Sequence, residues 1–251
     1  MASFSGTVYS KSLGMDTNLN IITPRGKLSD NGSIPRVAYL LHGLSDNAAA
    51  WLENANLREL SDKYNIAFIL PEVQRSFYTD MAFGLEYYTY ISYELPQIVS
   101  SLFKFSEKAE DTYIFGLSMG GYGALKIAMK NPEKFAAVGA FSSVCDIKAA
   151  MDDGDNVNFL EKERKAVLGA DYELLPENDL FLIADTFSKK KNKPKIYLSC
   201  GSDDFLIDMN KAFSEHLKKL GVAHIFEVWE GIHNWKFWRE SLNRALETFF
   251  E

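Results

Sequence analysis

The segment Gly116-Leu117-Ser118-Met119-Gly120-Gly121-Tyr122-Gly123 carries the strongest chemical signal in this 251-residue chain. A G-x-S-x-G run has meaning where a strand ends and a helix begins. The turn there is so tight that the residues beside the serine must be small, and the hydroxyl stands exposed above the sheet. Tyr113-Ile114-Phe115 supplies the strand and Tyr122 to Met129 the helix, while Gly121 and Gly123 allow close helix–sheet packing. The chemistry this predicts is acyl transfer with Ser118 as nucleophile.

A serine hydroxyl is a weak nucleophile without a base in hydrogen-bond reach. Four histidines are available, so elimination works. His216 lies among Lys211, Glu215, Lys218 and Lys219, on a solvated helix. His224 opens a strand, and His42 precedes Gly43 at the end of an early strand, ahead of the serine. His233 sits in the loop Glu230-Gly231-Ile232-His233-Asn234, after the last strand and before the last helix. The chain order serine, acid, histidine needs such a late loop, so His233 is the expected base. The acid should follow a strand between the two. Lys195 to Cys200 runs into Gly201-Ser202-Asp203-Asp204-Phe205-Leu206, and spacing leaves Asp203 and Asp204 both open. An oxyanion hole needs two backbone donors. The Met119 amide is one, and the Leu44 amide in Leu41-His42-Gly43-Leu44 is the expected second. His42 then reads as a buried prop for that loop.

The elements that must hold these residues alternate. Strands are expected at Phe4–Tyr9 and Leu19–Thr23, joined by a turn with Gly14, then at Val37–Leu41, Ile66–Leu70, Thr112–Phe115, Ala136–Phe141, Lys195–Ser199 and Ile225–Trp229. Asp30 to Ser33 reads as a loop. Helices are expected at Asn47–Asp62, Ser92–Phe105, Met119–Met129, Leu206–Leu220 and Phe237–Phe250. Strands alternating with helices predict a mostly parallel, twisted sheet of about eight strands covered on both faces. Residues 1–251 read as one domain. About 146–193 breaks the rhythm, with acidic Asp152, Asp153 and Asp155 and helices near Phe159–Val167 and Asp179–Phe187. That insertion is either a cover for apolar surface or a small cap over a site.

Composition removes several classes. A net charge of −7 gives no reason to hold a phosphate backbone, so no nucleic-acid partner is expected. No run of about 18 apolar residues is present, so no membrane span is expected. The first residues lack an apolar core of the kind a signal peptide needs, which predicts a cytoplasmic protein. Cys145 and Cys200 make neither a disulfide framework nor a metal cluster and read as buried thiols. No metal and no cofactor are implied. The aromatics Phe77, Tyr78, Phe83, Tyr87, Tyr88 and Tyr90, with Trp51 and Trp235, either wall a substrate pocket or pack the core.

LLHGLSDNAAAW, GLSMGGYGAL, CGSDDFL and GIHNWKFWRESL together resemble the esterase D-like branch of α/β-hydrolases, from about residue 3 to 250. That branch includes S-formylglutathione hydrolases, feruloyl esterases, mycolyltransferases and the small tributyrin-type carboxylesterases, to which the likeness is nearest. The resemblance implies an α/β-hydrolase fold, a triad of Ser118, Asp204 and His233, an oxyanion hole from Leu44 and Met119, and a small-molecule ester as substrate. It places the acid at Asp204, and it is compatible with a dimer or tetramer. The loop Leu44-Ser45-Asp46-Asn47 lacks the cysteines associated with formylglutathione hydrolases, which weighs against a thioester substrate. Other readings are a feruloyl or acetylxylan esterase, an acyltransferase, and a non-catalytic binding protein on the same scaffold.

Overall fold

The computed structural model describes residues 2–25, 34–152 and 157–251. The expected loop Asp30–Ser33 and the acidic residues Asp153 and Asp155 lie outside them. Eight strands form one sheet: β1 (Ala2–Ser10), β2 (Met15–Thr23), β3 (Arg36–Leu41), β4 (Ile66–Pro71), β5 (Thr112–Leu117), β6 (Ala137–Phe141), β7 (Lys195–Gly201) and β8 (Ile225–Trp229). Their spatial order is β1-β2-β4-β3-β5-β6-β7-β8. Only β2 runs against its neighbours, pairing antiparallel with β1 and β4. The other pairs are parallel.

The central strands are apolar on both faces because each face has its own core. Successive side chains of a strand alternate between faces. Tyr39, Leu41, Ile114 and Leu198 therefore enter one cluster, and Ala38, Leu40, Phe115 and Tyr197 the other. The second face is covered by α1 (Ala50–Asn54), α2 (Leu57–Tyr64) and, much later in the chain, a long C-terminal helix. The first is covered by the run α3 (Tyr87–Thr89), a π turn (Tyr90–Glu94) and α4 (Leu95–Leu102), then by α5 (Met119–Lys130). Next come α6 (Ile147–Asp152), α7 (Val157–Leu168) and α8 (Leu180–Ser188), which occupy the insertion, then α9 (Ile207–Lys219) and the C-terminal α10 (Trp235–Phe250).

Two helices differ from expectation. The predicted Asn47–Asp62 helix is two short ones, with Ala55 extended between them (φ −120°, ψ 151°). Asparagine side chains compete with helical hydrogen bonds. Here the Asn54 side-chain amide donates to the Ala50 carbonyl at 2.9 Å. The predicted Ser92–Phe105 helix belongs to a longer helical run that starts at Tyr87 and ends at Leu102, with Pro96 in the first turn of α4. Proline cannot donate to the carbonyl four residues back. That carbonyl, on Ser92, instead accepts from Lys134 Nζ at 3.1 Å, and the π turn precedes the proline.

Candidate active site

Parallel strands place their C-terminal ends at one edge, where open α/β sheets build their sites. Ser118 follows β5 directly, and its backbone is held at φ 52°, ψ −118°, outside the ordinary regions for a residue with a side chain. Such strain persists only where the surroundings over-determine it. The Ser118 amide donates to Phe141 O at 2.9 Å, and its carbonyl accepts from Gly121, Tyr122 and Val144 amides. The flanking glycines have no alternative. A Cβ on Gly116 would stand 2.1 Å from Gly120 O, and one on Gly120 would stand 2.3 Å from Leu41 O.

His233 follows β8, and its Nε2 lies 3.0 Å from Ser118 Oγ. Its Nδ1 faces Asp204, 2.9 Å from Oδ2 and 3.1 Å from Oδ1. Asp204 follows β7 and is buried. Its Oδ1 also accepts the Leu206 amide at 2.9 Å. Burial pushes the Asp204 carboxyl up, but the His233 hydrogen bond and charge with the Leu206 amide outweigh it and hold the carboxyl below the usual range. Asp203 turns away: its amide donates to Gly231 O, and its carboxylate accepts from Ser202 Oγ. Of the two aspartates left open by spacing, only Asp204 touches the imidazole.

The other histidines stand apart. His216 pairs with Asp185 at 3.0 Å, and His224 meets Ser214. His42 is buried in the loop after β3. Its Nδ1 lies 2.8 Å from Gly43 O, and its Nε2 accepts the Val73 amide at 3.2 Å with Glu72 at 3.4 Å. Tyr78 OH donates to His42 O, and Trp51 Nε1 donates to Leu41 O. These bonds fix the loop that carries Leu44.

Leu44, Met119, Ser118 and His233 open into one cavity of about 580 Å³. Its remaining wall is largely apolar. Phe77 and Val144 contribute from the loops after β4 and β6, Ala149, Ala150, Asp152 and Leu160 from the insertion, and Phe205, Leu206 and Met209 from the loop and helix after β7. Most of the aromatics singled out from sequence pack the core instead: Tyr87, Tyr88 and Tyr90 are buried, and Trp51 is nearly enclosed. The aromatic that sequence reasoning passed over is Phe205, beside Asp204. A second omission is Arg75, which ion-pairs with Glu163 on α7 and donates to Ser45 Oγ at 3.0 Å. Neither has a spacing signature.

Cys145 and Cys200 are free and buried, and burial pushes both thiols up. Among the described residues, no group of three or more His, Cys, Asp or Glu side chains is placed to hold a metal ion. Among them too, no helix is long and apolar enough to cross a membrane.

This sheet order, with a strained serine on the turn from β5 into α5, defines an α/β-hydrolase. The family model whose description reads "Putative esterase" matches residues 10–249, and the chain belongs to that family. An acetyl esterase from Caldicellulosiruptor saccharolyticus is 34% identical over 260 residues, taking in 98% of this chain and 97% of the relative. Two solved structures from Staphylococcus aureus are each 31% identical. The fluorophosphonate-binding serine hydrolase F superimposes with a TM-score of 0.89, covering 100% of this chain and 98% of that one. The S-formylglutathione hydrolase FrmB superimposes with a TM-score of 0.88, covering 100% and 99%. The chain is a carboxylic-ester hydrolase.

Proposed function

We propose that this chain is a carboxylesterase for esters of small acyl groups, with Ser118, His233 and Asp204 as its catalytic triad. The observation that carries the reading is the unbroken hydrogen-bond chain from Asp204 through His233 to Ser118, ending in an apolar cavity. His233 Nε2 takes the Ser118 proton as Oγ attacks the ester carbonyl. The Leu44 and Met119 amides receive the oxyanion, and their place beside Ser118 in the same cavity supports that role. His233 then gives the proton to the departing alkoxide. Water, deprotonated by the same ring, hydrolyses the acyl-enzyme. Asp204 holds the tautomer that leaves Nε2 free to accept.

Residues 1–251 act as one domain in this reading, with 146–193 as its cap. Ala149, Ala150 and Leu160 from that stretch wall the cavity and bound the acyl group. The likeness to an acetyl esterase supports a short acyl chain. Two free, buried thiols suit a reducing compartment, the cytoplasm. A second reading, thioester hydrolysis, is favoured by the likeness to FrmB.

The test uses wild type and Ser118→Ala on p-nitrophenyl esters from acetate to decanoate, a feruloyl ester and a formyl thioester. Turnover is expected to peak at short acyl chains and to fall by about 10³-fold or more in Ser118→Ala. Equal rates in the two proteins would overturn the mechanism. A thioester rate far above every oxygen ester would transfer the assignment to the second reading.

A further inference from the structure

If Ser118 and His233 act as proposed, the position of each half of the ester follows. In acylation the Ser118 Oγ–acyl carbon bond forms and the bond from that carbon to the alcohol oxygen breaks. The proton taken from Oγ travels on His233 Nε2 to the alcohol oxygen, so a neutral alcohol leaves. Proton transfer requires that oxygen to lie within hydrogen-bond reach of Nε2. The carbon skeleton of the alcohol must therefore pass beside the imidazole ring.

Two aromatic rings pack on that imidazole. Trp238 meets it edge-on, 4.9 Å between centroids, and is buried in the core beneath. Phe205 lies 4.5 Å away, tilted by 48°, on the cavity side. Its exposure is 72%, the highest of any large apolar side chain among the described residues. A ring so exposed adds little to the core, so its place at the mouth needs another reason. The loop also holds it in position. The Leu206 amide donates to Asp204 Oδ1 and the Ile207 amide to Asp204 O, so the residue that orients His233 also orients the backbone around Phe205.

We propose that Phe205 is the contact surface for the alcohol part of the substrate and that it selects esters of aryl or bulky apolar alcohols over those of small ones. A flat ring or extended apolar chain on the departing oxygen lies against the open face of Phe205, gaining buried apolar area and, for an aryl group, offset-stacked or edge contact. Phe205 is thus a specificity determinant on the leaving-group side, whereas Ala149, Ala150 and Leu160 bound the acyl side.

Acetate esters separate the two sides. Ethyl, hexyl and benzyl acetate all give the same acetyl-Ser118, so any difference among them arises in acylation, and water attacks a common intermediate. Phe205→Ala is expected to lower kcat/KM for benzyl acetate by about tenfold and for ethyl acetate by no more than about twofold. Phe205→Leu is expected to keep most of the hexyl acetate rate while losing part of the benzyl preference. Equal losses on all three esters in both variants would mean that the ring only packs on His233, and the proposal would fall. An unchanged benzyl-to-ethyl ratio with a smaller assembly by light scattering would assign the ring to contact between copies of this chain, which also overturns it. These outcomes presuppose ester turnover that Ser118→Ala abolishes. Its absence would sink the esterase reading itself, a result distinct from turnover whose ester preference ignores Phe205.

Discussion

Asp204 shows how one buried side chain holds its neighbours in place. Buried and acceptor-only when ionised, it needs donors, and it finds them in His233 Nδ1 and the Leu206 amide. Burial raises its carboxyl, but those partners hold it below the usual range, so it remains ionised at neutral pH. A depressed carboxyl contributes stability above its unfolded value and loses that contribution as pH falls through the folded one. Asp204→Asn keeps the shape while offering Nδ1 an amide that no longer fixes the productive tautomer. The expected result is a fall in kcat of about 10⁴ with little change in the far-ultraviolet spectrum. A loss below tenfold would remove Asp204 from the mechanism. Sequence pointed to Ser118 through its glycines and to His233 through elimination, and the fold brings the two within hydrogen-bond reach. Spacing alone could not separate Asp203 from Asp204, and only the resemblance pointed to Asp204, because neighbouring loop residues diverge according to backbone bonds, here Asp203 N to Gly231 O, that spacing does not encode. Phe205 stayed hidden for a related reason: exposure is a property of the folded surface.

At the scale of elements, the strands were the most legible, because continuous apolar runs between glycines and prolines have few other uses in a chain of this kind. The helices failed where side chains intervened: Asn54 at the break between α1 and α2, and Lys134 under the proline of the α3–α4 run. The insertion was legible as an interruption, but its link to the loop that carries Leu44 was not. Arg75 makes that link, bonding Ser45 on one side and Glu163 of α7 on the other. Ser45 sits at φ 71°, a conformation that a serine holds only when constrained, and it adjoins the Leu44 amide. The expected consequence is coupling between α7 and the proposed oxyanion hole. Arg75→Ala and Glu163→Gln should each lower kcat several-fold with a smaller change in KM. The double variant should lose less than the product of the two, by an interaction of about 0.5–3 kcal/mol. Strict additivity, measured with one short-chain ester, would show that the ion pair and the Ser45 contact do not act together.

Over the whole molecule, the insertion is docked onto the scaffold by a buried polar knot as well as by apolar packing. Tyr122 OH donates to Asn178 O at 2.7 Å, and Lys126 Nζ donates to Asn178 Oδ1 at 2.5 Å and to Tyr78 O at 3.0 Å. Lys126 is fully buried on α5, with its ammonium 4.9 Å from the centre of the Tyr88 ring. Burial pushes its pKa well below the ordinary lysine value, with Lys130 acting in the same direction and Asp80 and Glu177 against it. In the unfolded chain the same amine regains the ordinary value. Between the folded and unfolded values the unfolded state binds more protons, so stability rises with pH across that window. The penalty for burying the ammonium is full below the folded value and fades toward the ordinary one. Lys126→Met removes the titrating group and leaves the rest of the charge distribution nearly intact. Urea unfolding of both proteins at a series of pH values from neutral toward 10 should therefore give a wild-type-minus-variant stability difference that moves in favour of wild type as pH rises. The absolute difference at neutral pH also contains the unmet Asn178 and Tyr78 acceptors, so the slope is the informative quantity. Parallel curves would mean that the ammonium keeps its proton inside the fold, held by those two oxygens and the tyrosine ring, and that the knot between insertion and scaffold is ionic rather than neutral.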